Sequence, residues 1–172
     1  MASNNTITIR LFITPHTWVR STQKDKWLFR IPEEDLKEKY PQQYLRKLRL
    51  ERYSQYKRDL REEAKRVGFE LPDDGAWIKF YIPMPRSWNK KKRRLMAFEP
   101  HCSKPDASNF HKAFEDALKA EDKNIWDYRV SKFWYDTPTQ KGLIEVILPD
   151  TYVNLVELSR LQIPVHQDPV IK

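Results

Sequence analysis

The chain has 172 residues, 40% of them hydrophobic, with three glycines and a formal charge of +8. That balance fits one domain with a real core and excludes collagen-like or disordered character. The charge favours an anionic partner, nucleic acid ahead of a membrane surface. The single cysteine, Cys102, excludes an internal disulfide and a Cys-rich zinc site. Residues 6–14, TITIRLFIT, alternate β-branched and apolar side chains and predict a first strand, ended by Pro15. Residues 16–32 read as a loop with Trp18, Trp27 and Phe29 as packing anchors. Residues 33–40 predict a short helix broken at Pro41.

Residues 42–67 predict a long helix with an apolar seam of Leu45, Leu48, Tyr53, Tyr56, Leu60, Ala64 and Val67, closed by Gly68. Its other faces carry nine Lys/Arg against four Asp/Glu between Arg46 and Arg66, a solvated face or one that follows a nucleic-acid backbone. LPDDG at 71–75 is a turn signal, so Asp73 and Asp74 are not read as metal ligands. Residues 76–84 predict a second strand. Then comes PRSWNKKKRR, where Arg86, Lys90, Lys91, Lys92, Arg93 and Arg94 surround Trp88. So dense a like-charge run predicts a mobile loop whose natural use is phosphate neutralisation. Trp88 is either a stacking platform for an unpaired base or a packing residue. His101 and Cys102 have no second pair of ligand residues and do not predict a metal site.

Asp106, behind Pro105, predicts a helix start, with its carboxylate accepting the free N–H groups of the first turn. At roughly 100° per residue, Phe110, Ala113, Phe114, Ala117 and Leu118 share a buried face. Asn109, Lys112 and Asp116 share a different stripe. Residues 128–135 and 143–148 predict two strands joined as a hairpin around 137–142. Arg129 and Lys132 fall on the first of them, with their facing unassigned. Residues 153–161 predict a short helix and 163–172 an extended tail. No apolar run approaches the roughly twenty residues of a membrane span, and MASNNTITIR has no signal-peptide pattern, so a cytoplasmic location is expected.

A carboxylate at a helix start, a polar stripe along that helix and the acidic pair Glu121-Asp122 before a strand can converge on a metal. Taken singly, each is an ordinary cap, a solvated face or a polar loop. In order, KPDASNFHKAFEDAL, the acidic pair and DYRVSK resemble the RusA family of Holliday junction resolvases. The match is best over about 77–148, weaker before it and absent beyond about 150. It implies a nuclease domain over 1–150 and a C-terminal extension over 151–172, packed on the domain or partly extended.

Residue by residue, the resemblance puts Asp106 on the family's first metal-binding aspartate, Asn109 on its asparagine and Lys112 on its catalytic lysine. Asp116 falls on the helix aspartate and Asp122 on the second member of the acidic pair. Ser108 stands where the family usually has a second aspartate, and Glu121 replaces the first member of the pair. The implied activity is Mg²⁺-dependent (or Mn²⁺-dependent) endonucleolytic cleavage of a four-way DNA junction by a homodimer, in recombination or repair. Asp106, Asp116 and Asp122 are then the expected metal ligands, since Mg²⁺ prefers carboxylate oxygens. Lys112 stabilises negative charge, Asn109 orients a ligand or phosphate, and the basic run with Trp88 holds DNA. A catalytically weakened junction-binding relative is the alternative that Ser108 raises. A non-enzymatic nucleic-acid-binding protein and a purely structural protein are the other classes. The expected fold is a single α/β (α+β) domain, a mixed sheet of about four strands with two main helices packed against it.

Overall fold

The computed structural model describes residues 6–119 and 125–148. Strand β1 (Ile7–Leu11) stops short of the predicted Thr14. The expected loop after it contains a 3-10 helix, Gln23–Phe29. Helices α1 (Glu33–Lys39) and α2 (Pro41–Val67) follow as predicted, and Gly68 ends α2 in the left-handed conformation at φ 66°. Strand β2 (Asp74–Pro83), helix α3 (Lys90–Met96), helix α4 (Ala107–Leu118), strand β3 (Asp127–Tyr135) and strand β4 (Leu143–Leu148) complete the described chain.

The sheet order is β1-β4-β2-β3, with β2 and β3 parallel and the other pairs antiparallel. The predicted β3–β4 hairpin is therefore corrected. β4 leaves β3 and inserts between β1 and β2, because LIEVIL is apolar almost throughout and suits a central strand paired along both edges. DYRVSKFWY carries charges and takes the edge. Parallel pairing of β2 and β3 requires a crossover, and α3 and α4 supply it.

α2 and α4 lie on one face of the sheet. Their Tyr53, Tyr56, Leu60, Ala64, Phe110, Ala113, Phe114 and Ala117 close on Leu11, Ala76, Ile78, Phe80, Ile144, Val146 and Leu148. Phe110 and Phe114 both meet the ring of Phe80, so α4 has the expected rotation, with Phe114 buried and Lys112 exposed. A second cluster of Leu28, Leu36 and Leu50 joins the 3-10 helix, α1 and the start of α2. The anchors expected here are corrected. Trp27 and Phe29 are exposed while Leu28 is buried, and on α2 Leu50 is buried while Leu45 is exposed. Only one side of the short 3-10 turn faces inward, and the smaller aliphatic side chain takes it.

Candidate active site

β2 exits at Pro83 toward the basic run, which was expected to be a mobile loop and instead forms α3. Like charges do not repel the helix apart because Asn89 and Trp88 within the run and Asp136 outside it supply partners. The Asn89 side chain caps it by accepting from the Lys92 N–H at 2.8 Å. Arg93 donates from Nε and Nη2 to Asp136 Oδ1 at 2.9 and 2.6 Å. Lys92 Nζ lies 4.0 Å from the centroid of Trp88. Trp88, half-buried, meets Trp134 at 4.8 Å between centroids, and Trp134 meets buried His101 at 3.9 Å. This aromatic file anchors α3 to the end of β3. Burial holds the His101 imidazole below its ordinary pKa, with the nearby Lys132 ammonium acting in the same direction. Arg86, Lys90, Lys91 and Arg94 are exposed and have no acidic partner among the described residues.

From α3 the chain runs along the edge of β3. Phe98 N–H donates to Trp134 O, Trp134 N–H to Glu99 O, and His101 N–H to Lys132 O. The Lys132 ammonium then donates to the carbonyls of Ser103 and Pro105, fixing the turn that delivers Asp106. Lys132 was visible in the sequence but could not be assigned a face. The structure turns it toward this turn, while Arg129 lies 3.8 Å from the centroid of Trp77 on the other face.

Asp106 occupies the N-cap position with φ −68° and ψ 153°, but its carboxylate makes no cap hydrogen bond. The expected capping is therefore not its role. The carboxylate is exposed and has no hydrogen-bond or ion-pair partner among the described residues. One turn on, half-buried Asn109 accepts the Trp18 N–H at its backbone carbonyl at 2.9 Å. Lys112 Nζ lies 4.6 Å from the Trp18 ring centroid. Asp116 Oδ2 accepts the Tyr53 O–H at 3.0 Å, and burial, reinforced by that carboxylate, pushes the Tyr53 phenol above its ordinary pKa. Arg61 Nε donates to the Ala117 carbonyl at 2.6 Å and closes the far end of α4.

Ten residues at about 1.5 Å rise separate Asp106 from Asp116 by about 15 Å along the axis. Side chains that far apart do not share one ion, so the three-carboxylate set is corrected by removing Asp116 from it. Among the described residues no group of three His, Cys, Asp or Glu side chains is placed to hold a metal. Asp122 and Glu121 lie outside the described residues.

The endodeoxyribonuclease RusA family model matches residues 32–146. The chain belongs to this family. The match begins at α1 and ends within β4, so it takes in every element that carries the RusA-like motif as well as the whole crossover from β2 to β3. No curated protein and no solved structure matches the chain. Sequence reading missed Trp18, Tyr53 and Lys132 as neighbours of the RusA stripe. Trp18 and Tyr53 lie far from it in the chain, and only their contacts with α4 reveal them.

Proposed function

We propose that the chain is a Mg²⁺-dependent endodeoxyribonuclease that cleaves branched DNA as a homodimer, in recombination or repair. The observation that carries this reading is the Asp106 carboxylate, without a cap hydrogen bond or ion pair among the described residues, at the start of a helix whose polar stripe carries half-buried Asn109 and exposed Lys112. An exposed hard-oxygen donor fits Mg²⁺ or Mn²⁺. Asp106 and Asp122 would hold the ion, which when bound supplies a Lewis acid for the scissile phosphate and a water of lowered pKa. Lys112 neutralises charge on the phosphate, and the Asn109 amide orients it without adding charge. Lys132 holds the turn that aims Asp106.

Arg93 ties α3 to Asp136, one residue past the end of β3, and Lys132 of β3 holds the turn before Asp106. These two anchors are four residues apart, about 13 Å at strand rise, so a duplex arm gripped by Lys90, Lys91 and Arg94 would pass close to Asp106. A two-fold homodimer matches the symmetry of a four-way junction. No helix among the described residues is long and apolar enough to cross a membrane. Ser108 favours one second reading, a junction-binding relative with weakened cleavage, because a hydroxyl is a poorer Mg²⁺ ligand than the usual aspartate.

The test is Asp122→Asn on a synthetic four-way junction in Mg²⁺. Cleavage is expected to fall by orders of magnitude, about 100-fold or more, while binding persists through the Lys and Arg contacts. Asp59→Asn, whose carboxylate accepts from Gln55 within α2, is expected to leave both unchanged. Nicking by Asp122→Asn at the parent rate would reject the assignment.

Mixing Asp106→Asn with Asp122→Asn subunits tests whether one site draws on both protomers, since activity recovers in the mixed dimer only in that case.

A further inference from the structure

We propose that Trp18 and Tyr53 are positioning residues that keep the Lys112 ammonium unpaired and directed at the substrate phosphate. This inference rests on Lys112 serving the cleavage reaction. Lys112 and Asp116 are four apart on α4, the spacing at which helical ion pairs form. Elsewhere the chain uses that spacing freely. Lys37 pairs with Glu33 at 2.6 Å, Lys39 with Asp35 at 2.9 Å, and Lys47 approaches Glu51 at 3.9 Å in the same Lys-first order as Lys112 and Asp116. On α4 the pair does not form. Asp116 Oδ2 takes the Tyr53 hydroxyl at 3.0 Å, and Lys112 Nζ sits 4.6 Å from the Trp18 ring centroid. Lys112 has no hydrogen bond or ion pair among the described residues.

Both partners are themselves held in place. Tyr53 is buried, with His16 and Tyr56 at 5.8 and 6.4 Å between centroids and the Lys57 ammonium 5.0 Å from its own ring. Trp18 is tied by its backbone N–H to the Asn109 carbonyl at 2.9 Å and packs against the main core. The chemistry of the two contacts differs in a useful way. A carboxylate would cancel the lysine's charge and occupy its donors. A ring face attracts the ammonium through its quadrupole and leaves all three N–H donors for a phosphate. Tyr53 removes the competing carboxylate, and Trp18 supplies the direction.

The experiment uses the full chain and a synthetic four-way junction in Mg²⁺, with thermal melting as a check on folding. Lys112→Ala is expected to lower kcat about 100-fold, which tests the reading on which the inference rests. Trp18→Leu is expected to lower kcat about 10-fold with KM within about twofold, and Trp18→Phe to restore it to within about threefold, because a ring face remains. Tyr53→Phe, which keeps the packing and loses the hydroxyl, is expected to cost about threefold to fivefold in kcat. In a Lys112→Ala background, Trp18→Leu should have no further effect.

A second readout does not depend on activity. The Lys112 ε-methylene protons should show an upfield ring-current shift in the NMR spectrum of the parent, lost in Trp18→Leu and kept in Trp18→Phe. Absence of that shift in the parent overturns the inference, as do equal losses for the Leu and Phe variants or a further loss in the Lys112→Ala background. If Lys112→Ala cleaves at the parent rate, the catalytic reading of Lys112 fails, and the shift reports separately whether the contact exists.

Discussion

α3 offers a quantitative test of how the chain grips DNA, because its five cations are not equivalent. Arg93 is committed to Asp136 and Lys92 lies over Trp88, while Lys90, Lys91 and Arg94 are exposed without an acidic partner among the described residues. Each phosphate neutralised on duplex DNA contributes about 0.9 to the slope of log K against log salt. Replacing Lys90, Lys91 and Arg94 by Ala should therefore reduce the slope by up to about 2.7 per protomer. Between 50 and 200 mM salt the parent should lose up to about 40-fold more affinity than the triple variant.

Arg93→Ala should behave differently. Its ion pair is partly exposed, so its removal should cost about 0.5–1 kcal/mol of stability and leave the slope nearly unchanged. The assay is a salt titration of junction binding by fluorescence anisotropy without divalent metal, beside urea denaturation of each variant. An unchanged slope in the triple variant would refute the assignment of α3 to phosphate contact. A slope change in Arg93→Ala as large as that of the triple variant would refute the division of labour drawn from Asp136.

Two further outcomes follow from single positions. Ser108→Asp restores the carboxylate usual in the family, one residue into α4 beyond the first, and should lower the Mg²⁺ concentration needed for half-maximal cleavage by about 10-fold if carboxylate count limits metal affinity; an unchanged Mg²⁺ requirement would count against a metal at this turn. Asp25 is buried and accepts from the Arg46 guanidinium, the Thr22 N–H and the Thr22 hydroxyl. The Arg46 hydrogen bonds, more than any other contact, hold its carboxyl well below the ordinary value of 3.8. A depressed folded pKa stabilises fully above the unfolded value and is lost as pH falls toward the folded one. Asp25→Asn should therefore cost about 1–3 kcal/mol at pH 7, and its deficit in urea denaturation should shrink as the pH is lowered through and below 3.8. A deficit independent of pH would show that the pair does not carry the stability assigned to it.

Helices α1, α2 and α4 were legible in the sequence because each agrees with itself at several levels. α4 combines a Pro-Asp start with an apolar face at helical spacing, and the structure buries Phe110 and Phe114 while exposing Lys112. What was not legible depended on partners distant in the chain. Counting charge within 85–94 argued against a helix, and Asp136, more than forty residues on, is what reverses that. Two strands close in sequence suggested a hairpin, although LIEVIL already carried the apolar character of a central strand, the signal that was passed over. Trp18 and Tyr53 carry no motif. Their contacts with Lys112 and Asp116 appear only once α2 and the segment after β1 pack against α4.

The topology gives a physical reason for these groups to gather. β1 is antiparallel to β4, and β4 is antiparallel to β2, so β1, β2 and β3 all run in one direction. Their carboxyl ends share one edge of the sheet, the place where open sheets with parallel strands and helical crossovers bind ligands. Leaving that edge are the segment from β1 that carries His16 and Trp18, the exit from β2 that becomes α3, and the end of β3 that supplies Asp136. α4 must carry the chain back to the start of β3, so its first turn, with Asp106, is forced to this edge and its last, with Asp116, away from it. The same helix direction that brings Asp106 to the edge from which α3 leaves thus carries Asp116 away from it. It leaves that carboxylate to the Tyr53 hydroxyl at the opposite end, where it holds the helix face that presents Lys112.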